Sequence, residues 1–362
     1  MAMQQEILAA LGTVRDPQVQ KDLVSLGAIQ DLTVQDGTVR FTVALAPPAW
    51  LHRAQIEAEC RAAASAVPGV KAVEIVRGVA VAAGRPVTGK VDVPGVKHVI
   101  AVASGKGGVG KSTVSVNMAV ALHQFGALAG LLDADIYGPS IPVLMGINRM
   151  PESAGQRIQP LENHGVRLMS LGFLIPPGSA PVIWRGPMVS GAIQQFLREV
   201  DWGVLDYLLV DLPPGTGDAQ LTLCQQIPLS GVVIVMTPQD LAVGIAAKAL
   251  AMFRQLKVPV LGIVENMASF LCPHCGKATP IFSKGGGARA AEQLGVPFLG
   301  SIPLDATICE TSDAGKPILV RDPASPVAEI VRAITARMAA CVDEQAPEAG
   351  PQITIVGKPR GA

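Results

Sequence analysis

The chain has 362 residues, 49% of them hydrophobic and 16% charged, which suits a large core plus a smaller module and excludes a disordered chain. Lysine plus arginine equals aspartate plus glutamate at 29 each, so no global field draws the molecule to nucleic acid or anionic lipid. No stretch reaches the roughly 18 apolar residues of a spanning helix, and MAMQQEILAA has no basic segment followed by an apolar core; a cytoplasmic protein with neither a membrane nor a nucleic-acid partner is expected.

Residues 1–76 read as a small α+β domain. A helical start is followed by the turn-prone Asp16-Pro17, alternating runs at 29–34 and 39–45, a helix over about 51–66 and a strand near 70–76. Asp36-Gly37 is the hairpin signal between the two middle runs. Residues 77–97 hold Pro and Gly without a clear period and read as a linker. Over 98–342, short aliphatic runs (VIAVAS, LAGLLDAD, RLMSLGF, LDYLLVDL, GVVIVMTP, VLGIVENM, PFLGSIPL) alternate with helical stretches such as 241–256 and 288–294. That alternation predicts an α/β fold with a doubly wound, mostly parallel sheet, whose ligands sit beyond the carboxyl ends of the strands. Residues 343–362 read as a flexible tail.

Directly after VIAVAS comes Gly105-Lys106-Gly107-Gly108-Val109-Gly110-Lys111-Ser112-Thr113, matching G-x-x-x-x-G-K-[ST] before a helical segment. The glycines let backbone N–H groups turn toward phosphate oxygens, and the helix adds its positive end. Lys111 is expected to neutralise the β- and γ-phosphates of ATP, and Ser112 to ligate Mg²⁺. Lys106, at the start of the loop, is poorly placed for its own nucleotide. It suits phosphates held by a facing subunit, as an arginine finger does, which makes hydrolysis depend on a homodimer.

Asp133 and Asp135 close the run LAGLLDAD, and Asp211 closes LDYLLVDL. Phosphoryl transfer needs one carboxylate beside the metal and one that orients water. Asp211 is the metal-side candidate, and Asp135 the water-orienting one. Asp218 reads as a cap of the helix that follows. Cys60, Cys224, Cys309 and Cys341 lie singly in aliphatic surroundings and read as small buried hydrophobes.

Together KGGVGKST, DADIYGPS and DLPPGTGD resemble the Mrp/ApbC group of deviant Walker A ATPases, related to MinD and to the nitrogenase iron protein. The resemblance covers nearly all of 97–340. It implies that Lys106 acts across a dimer, that Asp135 and Asp211 are the switch aspartates, and that Asn266 contacts adenine with 302–305 nearby. The first 76 residues resemble the metal–sulfur cluster assembly domain fused ahead of such ATPases. That domain commonly carries a cysteine after its second strand; here the chain reads Ala46-Pro47-Pro48-Ala49-Trp50, without a thiol.

Cys272-Pro273-His274-Cys275 offers two thiolates, half of a tetrahedral site, and a two-fold axis would supply the other half. A shared [4Fe–4S] cluster is what the resemblance implies; a structural zinc and a redox dithiol are the alternatives. His274 reads as a loop residue. The resemblance further implies an iron–sulfur cluster carrier, loaded by an assembly scaffold and serving apo iron–sulfur proteins. A MinD-like positioning switch would want a basic amphipathic C-terminal helix, which Pro347, Pro351 and Pro359 interrupt. A zinc-clasped targeting ATPase is the third reading.

Overall fold

The computed structural model describes residues 2–82, 93–136, 138–155, 157–174, 186–272, 274–282 and 285–345. Residues 83–92 of the stretch read as a linker, and most of the tail (346–362), lie outside them.

The first unit contains α1 (Ala2–Leu11), β1 (Ile29–Gln35), β2 (Thr38–Leu45), α2 (Arg53–Ser65) and β3 (Ala72–Val79). β1 pairs antiparallel with β2, and β2 parallel with β3. Asp36 and Gly37 both have positive φ (50° and 84°), the backbone that a two-residue hairpin of the strands' own twist requires. Alternation on β2 buries Val39, Phe41 and Val43 under the helices. β3 continues to Val79, three residues past the run read from sequence.

The remainder alternates strand and helix. In chain order it comprises β4 (Val96–Ala103), α3 (Lys111–Gln124), β5 (Ala129–Asp133), α4 (Ile141–Leu144), β6 (Ser153–Ala154), β7 (Arg157–Ile158), β8 (Leu161–Asn163) and β9 (Val166–Ser170). There follow α5 (Gly186–Glu199), β10 (Leu205–Asp211), α6 (Asp218–Gln226), β11 (Gly231–Met236), α7 (Asp240–Gln255) and β12 (Val260–Leu271). The last elements are β13 (Ala278–Thr279), α8 (Gly286–Leu294), β14 (Phe298–Leu304), α9 (Ala306–Asp313), α10 (Ile318–Arg321) and α11 (Pro326–Glu344).

Nine of these strands form one sheet in the order β13-β12-β11-β4-β10-β5-β9-β8, with β14 also paired to β12. All neighbours are parallel except β8 with β9 and β13 with β12. Strands covered on both faces can be aliphatic throughout, and β5, β10 and β11 are buried at every position. Successive residues of β4 feed opposite layers: Ile100 and Val102 join one core cluster, Val99, Ala101 and Ala103 the other. The first cluster also takes in Ile7, Phe41 and Trp50 of the first unit. Among the described residues, no helix is long and apolar enough to cross a membrane.

Candidate functional site

β4, β10 and β5 are adjacent and parallel, so their carboxyl ends lie along one edge of the sheet. β4 runs into the phosphate loop, β10 ends at Asp211 and β5 at Asp133. α3 then starts at Lys111, with Gly110 before it in the left-handed region (φ 77°) and no side chain capping its first N–H groups. Those uncapped donors suit an anion. A Cβ at Gly110 would collide with the Asn266 side-chain amide, so glycine is required there twice over.

The loop residues and Asp211 form one buried network. Lys111 Nζ lies 2.7 Å from Asp211 Oδ2, and Ser112 Oγ donates to the same oxygen at 2.6 Å. Ser115 Oγ donates to Asp211 Oδ1 at 2.6 Å. Asp133 is 1% exposed and accepts from Ser170 Oγ (2.9 Å) and from the backbone N–H of Asp135 (3.1 Å). Burial, reinforced by the Asp211 charge, pushes its carboxyl up to about 8, against the pull of Ser170 and Lys111. Asp135 is half-buried and accepts from the Gly138 N–H at 3.3 Å. The Ser112 hydroxyl and the Asp211 carboxylate, which share a hydrogen bond, are hard oxygen donors of the kind Mg²⁺ prefers. The backbone after Asp211 is tied to the loop strand by the Gly215 N–H donating to Ser104 O (2.9 Å).

Lys106 stands apart from this network. Its Nζ donates to Gln239 Oε1 at 3.0 Å, an oxygen that also accepts from Thr237 Oγ1 at 2.7 Å. Asn266 is 7% exposed and donates through Nδ2 to Val109 O at 2.8 Å, stitching β12 to the loop. Beside it opens a mostly apolar cavity of about 370 Å³, lined by Gly110, Thr113, Asn117, Asn266, Pro303 and Asp305, which suits a nucleoside base. Asp305 caps α9 by accepting from the Thr307 N–H at 2.7 Å.

Along β12, Met267 adopts positive φ (59°) and the register to β14 shifts, yet the strand persists to Leu271. The cysteines therefore sit at the tip of a hairpin that β13 closes. The Cys272 N–H donates to Lys277 O at 3.1 Å, and the Gly276 N–H to Cys272 O at 2.8 Å. Backbone N–H groups of His274 and Cys275 point at Cys272 Sγ and hold its thiol below the ordinary cysteine range. Cys275 is exposed, and the apolar Ile281 (49% exposed) and Phe282 (40%) follow in the chain.

The sequence missed Ser115, Gln239 and Asn117. Ser115 lies on the helix face of Ser112, a signal available in the spacing, whereas Gln239 becomes visible only once β11 is placed beside β4. Two sequence readings need correction. Asp218 is the first residue of α6, and Gly217 is its N-cap, because the extended backbone precedes the helix at Gly217. Cys60 and Cys224 are buried as expected, but Cys309 is exposed, because the short α9 buries only Thr311 and Ser312, and Cys341 is half-buried on α11.

A strand–loop–helix phosphate cradle at the carboxyl edge of a parallel sheet, with strand-end carboxylates around it, defines a P-loop NTPase. Residues 95–339 match the family described as NUBPL iron-transfer P-loop NTPase, and 4–75 that described as iron–sulfur cluster assembly protein. The chain belongs to the NUBPL iron-transfer P-loop NTPase family. It is 47% identical over 339 residues to the iron–sulfur cluster carrier protein of Synechocystis, covering 92% of this chain and 96% of that one. It is 41% identical over 343 residues to the carrier protein of Escherichia coli, covering 94% and 92%. Among solved structures, an Archaeoglobus fulgidus nucleotide-binding protein in complex with ADP superposes with a TM-score of 0.57 at 41% identity, covering 65% of this chain and 91% of the other. MinD of Aquifex aeolicus shares the fold, with a TM-score of 0.51 at 19% identity over 67% of this chain and 97% of its own.

Proposed function

We propose that the chain carries an iron–sulfur cluster as cargo between two copies of itself, and delivers it to apo iron–sulfur proteins after loading from an assembly scaffold. ATP binding and a slow hydrolysis would set the state of that dimer. One strand carries the reading. β12 holds Asn266 against the phosphate loop and, a few residues on, presents Cys272 and Cys275 at an exposed hairpin tip. A shift of the loop on nucleotide binding is thereby transmitted to the thiols.

Each chain supplies two thiolates, so four converge when two hairpins meet across a two-fold axis, and a [4Fe–4S] cluster takes four. The exposed Ile281 and Phe282 beside the hairpin give that contact apolar area. A cargo held only across an interface leaves when the interface loosens. Within the nucleotide site, Lys111 binds the β- and γ-phosphates, Asn266 the adenine edge, and Asp135 orients the attacking water. Ser112 and Asp211 would hold Mg²⁺, which neutralises phosphate charge when bound. Lys106, leaving Gln239, reaches the nucleotide of the partner subunit.

Anaerobic reconstitution with quantification of iron, sulfide and zinc, alongside mass in solution, tests the reading. Iron and sulfide in equal amounts on a dimer, lost together in Cys272→Ala and Cys275→Ala, is the expected result. Full iron and sulfide on Cys272→Ala would overturn it, and zinc in place of iron would make the hairpin a structural clasp.

A further inference from the structure

A cleft of about 1000 Å³ lies between the two units, on residues that neither nucleotide nor cluster uses. Its first side is built by Trp50, Arg53 and Arg77 of the N-terminal unit, its second by His123 and Phe125 at the end of α3, and its third by Arg332 of α11. Trp50 and Phe125 meet at 5.2 Å between centroids, tilted by 34°, and form an apolar floor, while Leu51 (42% exposed) forms an apolar lip.

The charge is predominantly positive and incompletely spent. Arg77 faces Glu57 through Nε and one Nη, at 3.1 and 3.3 Å, and its side chain is 59% exposed. Arg332 spends both terminal nitrogens on Pro323 O, a neutral acceptor. Arg53 is 5% exposed; its terminal nitrogens reach Val43 O, Gly78 O and Glu57, but its Nε has no partner. That nitrogen is closed to the surface, so the charge within direct reach of a ligand is that of Arg77 and Arg332. Against these cations stand Glu57, already engaged, and Glu329.

We propose that this cleft binds an acidic, partly apolar peptide segment of a second polypeptide. The cations come from three separate elements and do not converge on one point, which suits carboxylates strung along a chain better than a single phosphate. Arginine forks pair with carboxylates in two-pronged fashion, and the apolar floor and lip accept the intervening side chains. The volume exceeds what a lone inorganic anion fills. The site is independent of the cluster-carrying reading, since it shares no residue with the phosphate loop or the cysteine hairpin.

The test uses the full chain and a fluorescein-labelled Glu-Leu repeat peptide, read by anisotropy at low and moderate salt, with a Lys-Leu repeat as the control. Saturable binding of the acidic peptide alone, weakening as salt rises, is expected. Arg77→Glu with Arg332→Glu should lower affinity at least about tenfold, since two opposed charges become like charges. Because Arg77 also holds Glu57, His123→Glu with Arg332→Glu is the second variant; both must keep the parental melting temperature and ATP affinity to count. Absence of saturable binding, equal binding by variants that pass that check, or displacement by inorganic phosphate at peptide-like concentrations would each overturn the proposal.

Discussion

Lys111 Nζ and Asp211 Oδ2, a hundred positions apart in the chain, lie 2.7 Å from each other with their side chains 6% and 0% exposed. The carboxylate at the end of β10 thus holds the lysine of the phosphate loop, and phosphate must compete for it. A ligand phosphate repays that exchange by accepting from the loop's backbone donors at the same time.

Lys111→Ala should therefore act on two quantities. Nucleotide affinity should fall by about a hundredfold or more, as expected for loss of a buried charge-assisted contact. Stability without ligand should also fall, by about 3–5 kcal/mol, because Asp211 keeps a buried charge that Ser112 and Ser115 only partly satisfy. Titration with a fluorescent ATP analogue and thermal unfolding measure the two separately, and unchanged affinity would contradict the role given to Lys111.

Lys106→Ala should give the opposite pattern. Its amine is held by Gln239 on the same chain, away from the Lys111 network. If it serves the partner's nucleotide, hydrolysis should fall about 10²–10³-fold while ATP affinity stays within about threefold. Steady-state hydrolysis at rising protein concentration adds a check. The parent's specific rate should climb with concentration, and the variant's should stay flat.

Cys272 should deprotonate more readily than an ordinary cysteine, since the His274 and Cys275 N–H groups favour its thiolate. Alkylation by iodoacetamide, which follows the thiolate, should rise at a pH below that of an ordinary cysteine. Acidification through that lowered range protonates the sulfur and should release bound metal. Mass mapping of the alkylated site across pH is the measurement; a midpoint at or above the ordinary thiol value would refute the assignment.

Trp50, in the first unit, packs against aromatic rings of the second. Its ring meets Phe125 at 5.2 Å and Tyr207 edge-on at 6.3 Å, and its Nε1 donates to Leu45 O at 2.7 Å. Trp50→Ala should cost about 3–5 kcal/mol, the range for emptying a buried aromatic site. The loss should appear as early proteolytic release of the first unit. Unchanged resistance to protease would mean that the two units are held together elsewhere.

Much of the site was legible because its parts are contiguous. The phosphate loop and the strand-end aspartates are short strings whose spacing encodes their geometry, and the alternation around them announced a parallel sheet. What stayed hidden arises from distant segments becoming neighbours. Ser115 gains meaning only when β10 places Asp211 beside α3, and Gln239 only when β11 lies next to β4. The cysteine hairpin depends on β12 surviving the irregularity at Met267, which no periodicity reveals. Two-residue strands such as β6 and β7 are too short to carry any pattern.

Asp133 offers a test of the site's electrostatics without ligand. Burial first, and the Asp211 charge second, raise its carboxyl to about 8 from the ordinary 3.8. Between those values the folded protein holds a proton that the unfolded chain has released, so stability falls as pH rises through this window. Asp133→Asn keeps the shape of the protonated acid and removes the titration. The variant should match or trail the parent near pH 5 and gain on it steadily toward pH 8. Melting temperatures of both proteins in metal- and nucleotide-free buffer across that range decide the matter. A difference that stays constant with pH would show that Asp133 is ionised throughout, with Lys111 neutralising both carboxylates at once.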